Sequence, residues 1–297
     1  MPEDCGMNGG AAEQGVSTEL SQKSFERFAN YITGELGIKM PDSKITMVQS
    51  RLLRRTRELQ LGSIEEYGKY FFTAQGGEER EYFINAITTN KTDFFREPEH
   101  FDYLLKTALP NLCSGIDLRM SRLNVWSAAC SSGQEPYTLA MLLSEYALQN
   151  AGLKFAILAT DVSTKVLDLA RKAVYEEQLT LPIPAALRNK YLLRSKDRTS
   201  GLVRIAPTLR DKVSFHQLNF MSEDYRIQDM FEVVFCRNVL IYFDRKTQEA
   251  VIQKICKNIS PGGYLFVGHS ESLAGMDIPA QQVNTAVFRM PTVGKKR

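Results

Sequence analysis

Residues 123–133, LNVWSAACSSG, and residues 155–161, FAILATD, decide the fold. Each is a short, nearly continuous apolar run, the pattern of a strand covered on both faces. The first run ends in small residues, Ser127 to Gly133, and the second in an acid, Asp161. A helical pattern follows each, over 134–148 and 164–174. Further strand-like runs stand at 213–219 (VSFHQLN), 231–238 (FEVVFCRN), 263–269 (GYLFVGH) and 284–290 (NTAVFRM), with a long helix over 244–259. Buried strands alternating with helices predict an α/β fold with a parallel, doubly wound sheet. Residues 191–206 interrupt the alternation. There YLLRSKD and GLVRIAP read as an antiparallel hairpin inserted between sheet elements.

N-terminal to this region the rhythm is helical. Ser21 is a helix N-cap, and Phe25, Phe28, Ile32 and Leu36 follow at three- and four-residue spacing until Gly37 and Pro41. Ile45, Val48, Leu52 and Leu59 mark a second helix, with two short helical patterns over 64–72 and 82–87. The expected organisation is a disordered tail over 1–20 and a helical domain over 21–89. A linker and first helix follow over 90–120, then the α/β domain over 121–297.

The 297 residues are 43% hydrophobic and 24% charged, which excludes a mostly disordered chain. Thirty-seven Lys and Arg against 34 Asp and Glu leave +3, too small an excess for a general nucleic-acid binder. Five cysteines at irregular spacing are no disulfide framework, and three histidines with no Cys/His cluster predict no metal site. No apolar run reaches the ~18 residues of a membrane span. The first residues lack the basic-then-apolar order of a signal peptide. A reduced, cytoplasmic protein is expected.

In an open parallel sheet, ligands bind at the carboxyl ends of the strands. The loop 127–133 has one glycine where dinucleotide folds use three, which disfavours a pyrophosphate site. On these residues alone it also reads as an ordinary small-residue loop. Asp161 sits where a carboxylate accepts ribose hydroxyls, although an acid there also serves as a helix cap. Loop and acid together favour an adenosine-type cofactor without pyrophosphate, namely S-adenosylmethionine. Arg237 and Asn238 place a charge and an amide at the carboxyl edge, with Tyr242 four residues on. Burying them unused would cost a few kcal/mol, but a turn with a salt bridge would use them too. Cys130 in the loop and Cys236 before Arg237 are expected to border the same pocket. The run 88–97, TTNKTDFFRE, is equally dense in donors and acceptors.

TTNKTDFFRE, VWSAACSSGQEPYTLA, ATDVSTKVLDLAR, FCRNVLIYFD and GHSESL together closely resemble the bacterial chemotaxis receptor methyltransferases of the CheR type. The resemblance runs from about residue 22 to 290. It implies a Rossmann-like class I S-adenosylmethionine-dependent methyltransferase domain, with a small antiparallel β-subdomain insertion and an all-helical N-terminal domain. It implies methyl transfer from S-adenosylmethionine to glutamate side chains of methyl-accepting chemotaxis receptors, giving glutamyl methyl esters and S-adenosylhomocysteine. It places Asn90, Thr92 and Arg96 on the methionine part of the cofactor. Glu135 and Asp161 would hold the cofactor, the latter at its ribose. Asn219 and Phe220 would border the adenine. Arg237 and Asn238 would lie under the sulfonium and Tyr242 near the methyl, with Arg96 and Tyr242 as the catalytic pair. The chain departs at Gln134, where many members carry a second acid, and keeps Glu135.

Residues 43–57 carry Lys44, Arg51, Arg54, Arg55 and Arg57 and no acid, opposite the apolar stripe of the second helix. A charge run is usually a solvated face. The resemblance favours a docking surface for an acidic receptor helix, through Arg51, Arg54, Arg55 and Arg57. No nucleic acid partner and a monomer are expected. A nucleic-acid methyltransferase is opposed by CRNVLIYF in place of [DN]-P-P-[YF] and by the lack of any Pro-Cys; a non-catalytic cofactor-binding regulator is the other alternative. Some members hold a receptor-tail peptide on the β-subdomain through a glycine-bearing turn. Here Ser195-Lys196-Asp197 fill that turn, with the next glycine at Gly201, which predicts weak tail binding.

Overall fold

The structure, a computed structural model, describes residues 19–73, 77–114, 122–150 and 153–292. These form two compact units, one of residues 19–31 and 40–87 and one of residues 32–39 and 88–292. The expected tail lies outside the described residues apart from Glu19 and Leu20. Leu20 is buried, and its N–H donates to Gln49 Oε1 at 3.1 Å.

The helical unit is built on α1 (Gln22–Leu36), α2 (Ile45–Glu58), α3 (Ile64–Thr73) and α4 (Gly77–Ile87). Ser21 caps α1 by accepting the Ser24 N–H at 3.2 Å. Val48, Leu52 and Thr56 are the buried residues of α2; Thr56 hides its hydroxyl by donating to the Leu52 carbonyl at 2.9 Å. The centre is aromatic: Phe28, Tyr67, Phe71 and Phe83 are buried, with Phe71 and Phe83 at 4.7 Å between ring centroids.

The second unit opens with α5 (Pro98–Tyr103), a π turn at Leu104–Ala108 and α6 (Leu109–Cys113). Pro110 has no N–H to offer the carbonyl four residues back, and the helix widens just before it. Then come β1 (Arg122–Ala128), α7 (Gln134–Gln149), β2 (Lys154–Asp161), α8 (Thr164–Lys172), β3 (Val174–Glu176), α9 (Ala185–Tyr191), β4 (Leu192–Arg194), β5 (Leu202–Ile205), α10 (Pro207–Arg210) and β6 (Val213–Gln217). The chain ends with β7 (Phe231–Cys236), α11 (Arg245–Cys256), β8 (Ile259–Val267), β9 (Gln281–Asn284) and β10 (Val287–Arg289).

The main sheet has the order β6-β2-β1-β7-β8-β10-β9. From β6 to β8 all neighbours are parallel, whereas β10 runs antiparallel to both β8 and β9. The expected all-parallel sheet is therefore mixed. Only Thr285 and Ala286 join β9 to β10, too few for a crossover, so the two strands must form a hairpin. Chain order reverses between β1 and β7, and this opens a crevice at their carboxyl ends. Alternate residues feed two cores. Val125, Val233, Phe235 and Phe266 face the α5–α7 side, while Trp126, Val234, Cys236 and Leu265 face α11.

The expected hairpin is β4–β5, but the small antiparallel sheet has a third strand, β3. The helix expected to reach residue 174 stops at Lys172, where Ala173 turns left-handed at φ 54°. The turn after β4 draws its positive φ from Gly201 alone, while Ser195, Lys196 and Asp197 have none. The backbone strain behind the weak-tail expectation is therefore absent.

Candidate active site

Strand β1 delivers the chain to a loop bent tightly over the sheet edge. Ala129 and Ser131 are left-handed at φ 66° and 49°, and Gly133 at 98°. The loop is tied on every side. The Cys130 N–H donates to the Thr160 carbonyl at 2.9 Å, and the Ser131 N–H to Asp161 Oδ2 at 2.9 Å. Ser131 Oγ donates to the Asn90 carbonyl at 2.9 Å, and the Tyr175 hydroxyl to the Ser132 carbonyl at 2.7 Å. A Cβ on Gly133 would lie 2.8 Å from the Tyr175 hydroxyl and 3.0 Å from the Ala170 Cβ, so packing against α8 demands this glycine. Asp161 Oδ1 accepts the Ser163 N–H at 3.0 Å, while Ser163 caps α8. Burial pushes the Asp161 carboxyl upward, against those N–H bonds.

Behind the loop lies a buried charge network. Glu135 stands in the first turn of α7, where an acid suits the helix dipole. It accepts Ser127 Oγ at 2.6 Å and Arg237 Nε at 2.8 Å. The Arg237 Nη1 donates to the Arg96 carbonyl at 2.9 Å, lies 3.0 Å from His100 Nδ1 and 3.4 Å from Glu97 Oε2. Facing a guanidinium, Nδ1 must accept, so the proton sits on Nε2, which is buried without a partner. Burial, with Arg237 nearby, pushes His100 down to about 4 and keeps it neutral. Burial opposes ionisation of Glu97, but the Asn238 amide at 3.0 Å and the Arg237 charge outweigh it and hold the carboxyl below its usual range.

Glu97, His100 and His269 bring their ligand atoms within 4.8 Å of one another, a cluster that sequence spacing did not disclose. The Arg237 guanidinium already contacts Glu97 Oε2 and His100 Nδ1. Its charge opposes a metal cation there.

The CheR methyltransferase all-alpha domain matches residues 23–88, and the CheR methyltransferase SAM binding domain matches residues 90–288. The chain belongs to the CheR methyltransferase family. It is 37% identical over 268 residues to chemotaxis protein methyltransferase 2 of Pseudomonas aeruginosa, covering 90% of this chain and 93% of that one. It is 36% identical over 274 residues to the chemotaxis protein methyltransferase of Escherichia coli, covering 92% of each. Among solved structures it resembles the glycopeptide N-methyltransferase MtfA complexed with sinefungin, at a TM-score of 0.36 and 14% identity, covering 74% of this chain and 62% of that one.

The donor set at the edge suits the cofactor named by the CheR SAM binding domain. Asp161 keeps lone-pair capacity beside the N–H bonds that it accepts from Ser131, Val162 and Ser163. Its register partner Gln217 begins a depression that runs through Asn219, Ser222 and Tyr225 to Arg226, a single cation offset by Glu223 and Asp224 and not a phosphate-binding cluster. Asn90, Thr92 and Arg96 lie half-buried on the segment leading to α5, and Arg96 Nη1 donates to the Lys91 carbonyl at 3.2 Å. Phe95 is tied there through its N–H to Thr138 Oγ1 at 3.2 Å. Asn219 donates to the Glu35 carbonyl at 2.7 Å and accepts the Met221 N–H at 2.9 Å. Phe220 instead packs into the α11-side core with Tyr225 and Phe243, so it backs the depression. The Arg237 side chain is 2% exposed and bonded through Nε and Nη1, so it supports the pocket from behind. Asn238 and Tyr242 are half-buried at the edge, Tyr242 in a 3-10 turn at Leu240–Tyr242.

Three residues of this CheR site carried no role in the sequence reading: Glu97, His100 and Glu271. The first two stood unassigned at or beside TTNKTDFFRE, and the third stood within GHSESL. The cysteines are a correction. Cys130 and Cys236 were expected to border the pocket, yet both are buried, and burial pushes both thiols well up.

In the helical unit the basic run is partly consumed. Arg51 donates to the Ile87 carbonyl, and Arg55 holds the buried Glu79 at 2.8 Å while lying over the Tyr82 ring. Arg54 pairs with Glu58 at 3.1 Å yet is exposed, as is Arg57. Only the last two present their charge outward.

Proposed function

We propose that this chain is a cytoplasmic protein-glutamate O-methyltransferase that modifies methyl-accepting chemotaxis receptors. What carries the reading is family membership across both domains, joined to a strand edge whose buried charges are held by one another or by backbone N–H groups. Among the described residues, the buried acids of this edge all have partners, an arrangement built for alignment.

When bound, S-adenosylmethionine supplies a sulfonium-activated methyl group. Asp161 accepts the ribose hydroxyls. Asn219 meets the adenine, with Phe220 packed behind it. Asn90, Thr92, Arg96 and Glu135 hold the methionine part. Arg237 keeps Glu135 and the segment 96–100 in place, and Asn238 and Tyr242 face the transfer site. A receptor glutamate is ionised at neutral pH and needs no base. Arg96 and Tyr242 orient that carboxylate and strip its water, so the rate comes from positioning. Arg54 and Arg57 attract an acidic receptor helix and mainly speed encounter.

Tritiated methyl transfer to receptor-containing membranes tests the proposal. Label released as methanol by mild base identifies an ester. Base-stable label, or none with cofactor bound, overturns it.

A further inference from the structure

The motif GHSESL places a carboxylate, Glu271, beside the loop that leaves β7. Glu271 is 8% exposed and, among the described residues, makes no ion pair. Its Oε2 accepts the N–H of Asn238 at 2.9 Å and of Gly268 at 2.6 Å, and its Oε1 accepts the N–H of Leu240 at 2.7 Å. One side chain thereby joins the loops that leave β7 and β8, whose ends are paired at Cys236 and Val267.

The loop it holds needs holding. Asn238 is left-handed at φ 60°, a region that asparagine enters more readily than most side chains but still uncommonly. A Cβ on Gly268 would lie 2.6 Å from Asn238 Nδ2 and 2.9 Å from Glu271 Oε2, so the two loops meet with no space between them. From the other side, Gln248 Nε2 donates to the carbonyls of Leu240 at 2.9 Å and Phe243 at 3.2 Å. The turn bearing Tyr242 is thus clamped at its N–H groups by Glu271 and at its carbonyls by Gln248. The Asn238 amide, so placed, reaches Glu97 Oε1 at 3.0 Å.

We infer that Glu271 is a positioning residue for methyl transfer, fixing Asn238 and the Leu240–Tyr242 turn through their backbone N–H groups. The inference rests on the proposed function only in taking Asn238 and Tyr242 as facing the transfer site. A carboxylate suits the task because it only accepts. The amide of Glu271→Gln would set an NH2 group against backbone N–H donors.

The test uses Glu271→Gln in the full chain, with two readouts. Amide exchange over residues 236–243 should quicken about tenfold or more while the remaining strands stay protected. With receptor membranes, kcat should fall about a hundredfold, while receptor KM and S-adenosylhomocysteine affinity stay within about threefold. Unchanged exchange would show that Glu271 does not hold the loop. Faster exchange with unchanged kcat would show that the held loop is not needed for transfer, and a loss confined to KM would equally overturn the inference. Should Glu271→Gln fail to fold, Glu271→Asp, which keeps the charge and retracts it, is read by the same measures. If the wild-type protein forms no base-labile ester, the proposed function fails separately, and exchange alone still judges the clamp.

Discussion

Replacing Arg237 by Met removes the centre of the buried network while keeping most of the side-chain volume. The guanidinium is 2% exposed and faces Glu135 at 2.8 Å and Glu97 at 3.4 Å. Met leaves both carboxylates without their cation and the Arg96 carbonyl without its donor. Breaking a buried pair in this way costs about 3–5 kcal/mol. For a unit of this size, each kcal/mol moves Tm by roughly 2–4 °C, so a fall of roughly 6–20 °C is expected. Trp126 is the single tryptophan, fully buried between β2 and β7, and its fluorescence reports this unit alone. The contrast is Lys106→Met. Its pair with Asp102 is as short, 2.9 Å, but 73% and 67% exposed, and should be worth about 0–1 kcal/mol. Adding Glu135→Gln to Arg237→Met should recover part of the loss, because one stranded charge disappears. An Arg237→Met melt within about 2 °C of wild type would refute the reasoning, since a 3 kcal/mol penalty cannot hide there.

Asp161→Asn should weaken S-adenosylhomocysteine binding by about 1.5–3 kcal/mol in calorimetric titration; unchanged affinity in a folded protein removes the ribose assignment. Asn is preferred to Ala because its one oxygen can still accept one of the Ser131 and Ser163 N–H groups, whereas Ala would orphan both. Reversing Arg54 and Arg57 to Glu should raise receptor KM at low salt and leave cofactor affinity alone; normal methylation would make this face ordinary solvated surface. Arg51 and Arg55 are unsuitable for that experiment, as losing Arg55 strands the buried Glu79. Alkylation of the native protein should reach the half-buried Cys113 before Cys130, Cys236 or Cys256, with or without ligand. Early modification of Cys130 would mean that the loop after β1 opens.

The sequence disclosed the parts of the fold that have a period. Strands β1, β2 and β7 are continuous apolar runs, and α1 and α2 carry stripes at helical spacing. The three-residue β3 is too short to show a period, and the orientation of β10 depends on a two-residue loop. At the site, the positions of Asp161, Arg237 and Asn238 were legible because strand ends are where such folds place chemistry, while Glu135 came from the family resemblance. Their partners were not. Arg237 meets His100 and Glu97 across more than a hundred residues of chain, and only the crossing of the sheet brings them together. The cysteines misled because nearness to an edge says nothing of direction. In β7, Phe235 and Cys236 point to opposite faces, and Cys236 went to the α11 core.

The described residues hold nine non-glycine positions with positive φ, and five of them, Phe95, Glu97, Ala129, Ser131 and Asn238, belong to the segments that build this one edge. At about 1–2 kcal/mol for each residue other than Asn238, such backbone persists only where its surroundings over-determine it. The surroundings here are side chains that accept backbone N–H groups: Asp161 for Ser131, Glu271 for Asn238 and Thr138 for Phe95. Arg237, in turn, secures the Arg96 carbonyl next to Glu97. Buried charge at this edge therefore acts on the backbone before it acts on any ligand. That division suits a reaction whose nucleophile arrives ionised. Little is left for the protein to do by proton transfer, and the hydrogen bonds that hold the strained edge serve instead to keep its side chains in fixed positions.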